Sequence, residues 1–173
     1  TSNPPPNYPG TPFWVKGDPF PTGTTEADNM ILASKETYDY YRRGFGRDSF
    51  SGTGAVMDSI FNRGYSCPNA SWNGTFISFC PGFTTDDVTT HEWTHAYTEY
   101  THGLIYAWQS GALNESYSDM LGIRLRHAAG DPTWRIGEHL NGMGFRDLAN
   151  PRAGRLMLLS GFFCRLSGLR WVG

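Results

Sequence analysis

Apolar residues in the stretch "EADNMILASKETYDYYRR", residues 26–43, recur at Met30, Leu32, Ala33, Tyr38, Tyr40 and Tyr41. That spacing predicts a helix, and Gly44 reads as its stop. Residues 55–63 and 71–79 carry β-branched and aromatic side chains between Gly, Asn and Pro punctuation, which predicts two strands. Residues 86–101 and 110–129 return to a helical pattern, closed near Gly103 and Gly130. Residues 1–25, "TSNPPPNYPGTPFWVKGDPFPTGTT", are rich in Pro and Gly and read as an extended lead-in laid over a core by Phe13, Trp14 and Phe20. No internal repeat interrupts this order.

Composition narrows the picture. A chain of 173 residues fits one domain able to bury a real core. A net charge of −2 with 17% charged residues offers neither a basic face for nucleic acid nor a polybasic membrane anchor. No apolar run approaches the roughly 20 residues that span a bilayer. The start at Thr1, without a signal-like segment, is expected of a mature or excised piece. Aromatics at 15%, with 21 Gly and 11 Pro, suit a loop-rich, aromatic-packed extracellular enzyme. Three cysteines leave one unpaired at best. Cys67 and Cys80 flank the strand pair around "NASWNG", so an oxidising compartment lets them bridge, with Cys164 the free thiol; reduced structural cysteines are the other reading.

Candidate chemistry concentrates in "VTTHEWTHAYTEYTHG", residues 88–103, which holds three of the five histidines. His91 and His95 stand at i and i+4, on one face of a helix and one turn apart, where two imidazoles can bind one ion. Glu92 lies beside them, placed to take a proton from water at a metal. Buried histidines without a metal are the alternative. A catalytic zinc needs a third protein ligand. The pattern with a Gly seven residues and a His ten residues after the first His fails, because Thr98 and Thr101 stand there. His102 is out of register and reads as a cation near a helix C-terminus. The other pattern takes a Glu from a following antiparallel helix, and "GALNESYSD" offers Glu115, with Asp119 four residues on.

Taken together, "HEWTHAYTEYTHGLIYAWQSGALNESYSD", the upstream "TYDYY" and "NASWNG", and the downstream "WRIGE" and "FRDLANP" resemble the thermolysin family of zinc endopeptidases over residues 26–151. The resemblance implies one zinc held by His91, His95 and Glu115, with Glu92 as general base. Asp119 would accept a hydrogen bond from the far ring nitrogen of His91, and Tyr106 would stabilise the oxyanion. Asn69 and Ala70 would lie on an exposed edge strand that pairs with an extended substrate. Trp72 reads as a core aromatic. The implied fold is α+β: a mostly antiparallel sheet packed on the helix of His91 and His95, which crosses the helix of Glu115.

The departures matter as well. Family members hold paired calcium ions among acidic side chains. Here Asp87 and Glu138 remain, but Arg126, Thr133 and Arg135 stand where carboxylates are expected, so the double site is expected to be absent and replaced by salt bridges. Residues 1–150 read as the catalytic subdomain, and 151–173 as a divergent tail where the family's helical subdomain should follow. The expected function is secreted, zinc-dependent hydrolysis of internal bonds in peptides or proteins. The rivals are a zinc-binding but inactive or weak fragment and a structural domain without metal. Nucleic acid and membrane are not expected partners, and the oligomeric state stays open.

Overall fold

The structure is a computed structural model that describes residues 11–140 and 146–150. The expected tail, with Cys164, and the first ten residues of the lead-in lie outside the described residues. The fold is α+β, ordered α1 (Thr25–Phe45), β1 (Ser59–Ile60), β2 (Ala70–Trp72), β3 (Ile77–Phe79), α2 (Asp86–Glu99), α3 (Trp108–Ala128), β4 (Arg135–Ile136) and β5 (Arg146–Asp147).

Helix α1 has acids in its first turn, Glu26 and Asp28, and Arg42 and Arg43 in its last, both matched to the helix dipole. It runs through Gly44 and stops at Gly46, whose left-handed backbone (φ 66°) lets its N–H reach the Arg42 carbonyl. Its inner face, Ala27, Met30, Ala33 and Thr37, is buried, and Tyr41 beyond them stacks on Tyr97 of α2. The lead-in departs from expectation: Phe13 meets the edge of Phe61 yet is 60% exposed, and Phe20 also remains largely in solvent.

The two expected strands resolve differently. Residues 55–63 contribute only the two-residue β1, and residues 71–79 are a hairpin, not a single strand. Gly74, at φ 93°, turns the chain, and the Asn73 side chain accepts the N–H groups of Thr75 and Phe76 across that turn. The sheet order is β1-β3-β2, with β1 parallel and β2 antiparallel to β3; β4 and β5 form a separate antiparallel pair.

Helix α2 is the centre of the molecule. Eleven of its residues are buried, because α1, the β2–β3 hairpin and α3 all pack on it. Two of its buried threonines are satisfied locally: Thr94 donates to the Thr90 carbonyl, and the Thr90 hydroxyl accepts that of Thr37 on α1. Trp93 anchors the core, fully buried, stacked on Phe50, with its indole N–H on Ser34. Truncating such a ring costs about 3–5 kcal/mol. Helix α3 lies close against α2 at Gly122, where an added Cβ would sit 2.8 Å from the Asp87 carbonyl oxygen and 3.1 Å from Ile136. Only glycine allows that contact, and the contact sets how the two helices face each other.

Candidate metal centre

The α2–α3 seam is polar along its length. Asp87, His91 and His95 stand at i, i+4 and i+8 on α2. Opposite them, in antiparallel order, come Arg126, Gly122, Asp119 and Glu115 on α3. His91 Nδ1 lies 2.9 Å from Asp119 Oδ1. His95 Nδ1 lies 2.7 Å from Asn114 Oδ1 and 3.2 Å from Ser118 Oγ. With acceptors on both Nδ1 atoms, the protons are drawn there and the Nε2 lone pairs are turned toward a common point.

At that point the two Nε2 atoms are 2.9 Å apart, and each is 3.4 Å from an oxygen of Glu115. Donors around a tetrahedral ion at bond lengths of about 2.0–2.2 Å stand about 3.3–3.5 Å from one another; the two His–Glu115 separations match this, and the Nε2 pair would have to open from 2.9 Å by about half an ångström to hold a zinc ion. The electrostatics agree. Burial opposes a charge on His91, but its hydrogen bonds to Asp119 and Glu115 outweigh that and raise its pKa to about 10. Burial and the neighbouring His91 push His95 down to about 4. Burial works against ionised Glu115 as well, yet its contacts with His91 and His95 hold its carboxyl well below the usual carboxylate range. The arrangement favours one positive charge where these three groups meet, whether a proton or a metal that displaces it.

Glu92 is buried beside this point and accepts the backbone N–H of Trp72 on Oε2 at 2.9 Å. Burial raises its pKa to about 7, with Glu115 adding to the effect and His91 opposing it. Tyr106, in the turn before α3, donates its hydroxyl to Glu115 Oε1 and sets its ring edge-on to His95. Asp119 grips Arg146 of β5 through two contacts of 2.5 Å, and Arg146 Nη2 also lies 3.6 Å from Glu115 Oε2.

The strand residues are placed less simply. The sheet ends at β2, but Ala70 is fully buried under α2 rather than exposed. The Asn69 carbonyl accepts the Cys80 N–H on the β3 side, whereas the Trp72 N–H points away to Glu92. Main-chain groups alternate along an antiparallel strand, so the Ala70 carbonyl shares the direction of the Trp72 N–H. The Asn69 side-chain oxygen is buried with no hydrogen-bond partner among the described residues. A disulfide joins Cys67, just before β2, to Cys80, just after β3, and so brackets the hairpin.

Three contributors escape a reading of side chains in sequence. Trp72, expected as a core aromatic, is half-buried at the core's edge, packed on Trp93 and Phe50, and its backbone N–H is what reaches Glu92. Asn114 precedes a candidate ligand and signals nothing by itself, although it orients His95. Arg146 arrives from β5, and its one sequence trace is its place in "FRDLANP".

Comparison with known proteins bears on this geometry. The family model "Thermolysin metallopeptidase, catalytic domain" matches residues 2–99, and "Thermolysin metallopeptidase, alpha-helical domain" matches residues 102–158. The thermostable neutral protease NprT of Geobacillus stearothermophilus is 37% identical over 140 residues, covering 67% of this chain and 25% of that protein. Bacillolysin of Brevibacillus brevis is 36% identical over 166 residues, covering 88% and 30%. The chain thus spans about a quarter to a third of the length of these relatives. Among solved structures, the precursor of protealysin, a metalloproteinase from Serratia proteamaculans, superposes with a TM-score of 0.67 at 32% identity, over 76% of this chain and 46% of that one. With both family models matched end to end across the α2–α3 seam, the chain belongs to the thermolysin family of metallopeptidases.

Proposed function

We propose that the α2–α3 seam is the zinc-dependent peptide-hydrolysing centre of this chain, with His91, His95 and Glu115 as ligands. The observation that carries the reading is the convergence of these three groups beside a buried Glu92 that a backbone N–H holds in place. Zinc bound there would polarise a peptide carbonyl and acidify water. The rest is the work of the chain's own groups. Trp72 fixes Oε2 of Glu92, which leaves Oε1 to take a proton from the attacking water and pass it to the leaving amine. Burial, which lifts the Glu92 carboxyl above its ordinary pKa, favours its taking up that proton. Tyr106, already at the ligand cluster, would donate to the carbonyl oxygen as its charge develops. Asp119 holds the tautomer and direction of His91, and Arg146 holds Asp119. The substrate backbone would lie along β2, the edge strand that Asn69 precedes and Ala70 opens.

The Cys67–Cys80 disulfide supports an extracellular setting. No helix among the described residues is long and apolar enough to cross a membrane. The test pairs elemental analysis with cleavage of an internally quenched peptide. The wild-type chain should hold one zinc and cleave, and Glu92→Gln should hold zinc and not cleave. Zinc bound by a wild-type chain that cleaves nothing would favour the rival reading of a zinc-binding, inactive fragment.

A further inference from the structure

The other end of the same seam gathers carboxylates too. Asp87, Asp86, Asp131 and Glu138 surround the C-terminal part of α3, and Asp87 is fully buried. In family members the acids of this region hold paired calcium ions, so the fit of that metal can be tested directly. It does not fit. The Arg126 guanidinium, 1% exposed, already stands among the acids. Its Nη1 donates to Asp87 Oδ2 at 3.2 Å and to the Arg135 carbonyl at 3.1 Å. Its Nη2 donates to Glu138 Oε1 at 2.8 Å and to Asp131, and Nε lies 3.9 Å from Asp86.

The acids that converge here are oriented for this cation. Asp87 Oδ2 also accepts the Gly137 N–H at 2.6 Å, and its Oδ1 accepts the Thr85 hydroxyl and the Val88 N–H. Glu138 spends its second oxygen on the Thr133 hydroxyl. Asp131, Glu138 and His139 bring ligand atoms within 4.8 Å of one another, but Nη2 sits on the two carboxylates and 3.4 Å from the His139 ring nitrogen. An ion there would have to share its oxygens with a fixed positive charge, at metal–oxygen distances of about 2.3–2.6 Å. Arg135, the second cation expected here, stays outside: its side chain is 61% exposed and pairs with Asp147, and only its carbonyl joins the cluster.

We infer that Arg126 is a built-in cation that clamps the start of α2, the end of α3 and the turn after β4 in place of calcium, so that the chain's stability is indifferent to that metal. The clamp lies one helical turn from His91, on the helix that also carries Glu115, and so it holds the metal centre's two helices in register.

The test is thermal unfolding of the full chain at fixed zinc, in calcium-free buffer and in millimolar CaCl2, together with terbium luminescence excited through tryptophan. The wild type should show the same Tm in both buffers and no stoichiometric terbium signal. Arg126→Met should lower Tm by roughly 6–20 °C, since it strands a buried carboxylate, and calcium should not restore it. Arg126→Glu should be the less stable variant without calcium and should regain Tm with it. A calcium-dependent rise in wild-type Tm, or an Arg126→Met protein as stable as wild type, would overturn the inference. So would a folded Arg126→Glu protein indifferent to calcium. If neither variant folds, the wild-type calcium and terbium titrations decide.

Discussion

The two ends of the α2–α3 seam face the same electrostatic problem and answer it differently. At the Glu115 end one carboxylate meets two imidazoles whose Nε2 atoms converge, and the positive charge proposed for that point, a proton or a zinc ion, is exchangeable. At the Asp87 end the charge is covalently part of the chain, as the Arg126 guanidinium. Asp87 and His91 are one turn apart on the same helix, so the difference lies in what α3 presents. A planar fork of five donors satisfies carboxylates and carbonyls but cannot polarise a substrate. A converging set of lone pairs can hold a Lewis acid. A permanent cation suits the end that only has to hold, and an exchangeable one suits the end proposed to react.

The sharpest way to break the contrast is at the reactive end. Replacing His91 and His95 together by Ala should abolish zinc binding, read by elemental analysis; zinc at full stoichiometry in that variant would remove the site. Glu92→Gln should keep the metal and lose peptide cleavage by roughly 100- to 10,000-fold. Asp119→Asn leaves the ligands intact and should weaken zinc affinity about 10- to 100-fold, measured by competition with a chromogenic chelator.

Gly122→Ala attacks both ends at once. Its Cβ would meet the Asp87 carbonyl at 2.8 Å, so the helices must separate, at a cost of about 1–3 kcal/mol visible in denaturant unfolding. Zinc affinity should fall with stability if the seam acts as one unit. Unchanged affinity would mean that the two ends are independent.

The smallest effect is in acid. Arg126 holds the Asp131 carboxyl below its ordinary pKa of 3.8; Glu138 is held below 4.5 despite burial, by Thr133 and Arg126. Groups with depressed pKa values stabilise the fold above their ordinary values, and that contribution fades as pH falls through the folded ones. The stability gap between wild type and Arg126→Met should therefore be constant above about pH 5 and narrow below about pH 4. A gap that widens on acidification would reverse the sign of the proposed pairing.

The helices were legible because their punctuation is local. The boundaries expected for the three differ from those found by two residues at most; at α1 the difference arises because Gly44 is tolerated inside the helix and Gly46 takes the left-handed turn. The hairpin was missed although "WNGT" carries its turn signal, because the aromatic and β-branched residues on either side of Asn73–Gly74 read as continuous. At the candidate metal centre, His91–His95 and Glu115–Asp119 show in the sequence as i, i+4 pairs on single helices, and the resemblance supplies their expected roles. The Trp72 N–H, Asn114 and Arg146 do not, since a backbone donor has no letter, and Arg146 reaches Asp119 only through the β4–β5 pairing. Arg126 showed in sequence as a cation where an acid was expected, but its separation in role from Arg135 needed the fold, which buries one and leaves the other in solvent.

The contrast between the two ends can be read in one measurement: the metal content of the purified chain after dialysis against buffer containing both zinc and calcium, by inductively coupled plasma mass spectrometry. An exchangeable cation at one end and a built-in cation at the other predict one zinc and no calcium per chain. Calcium at one or more equivalents, or zinc absent from a folded wild-type protein, would contradict it.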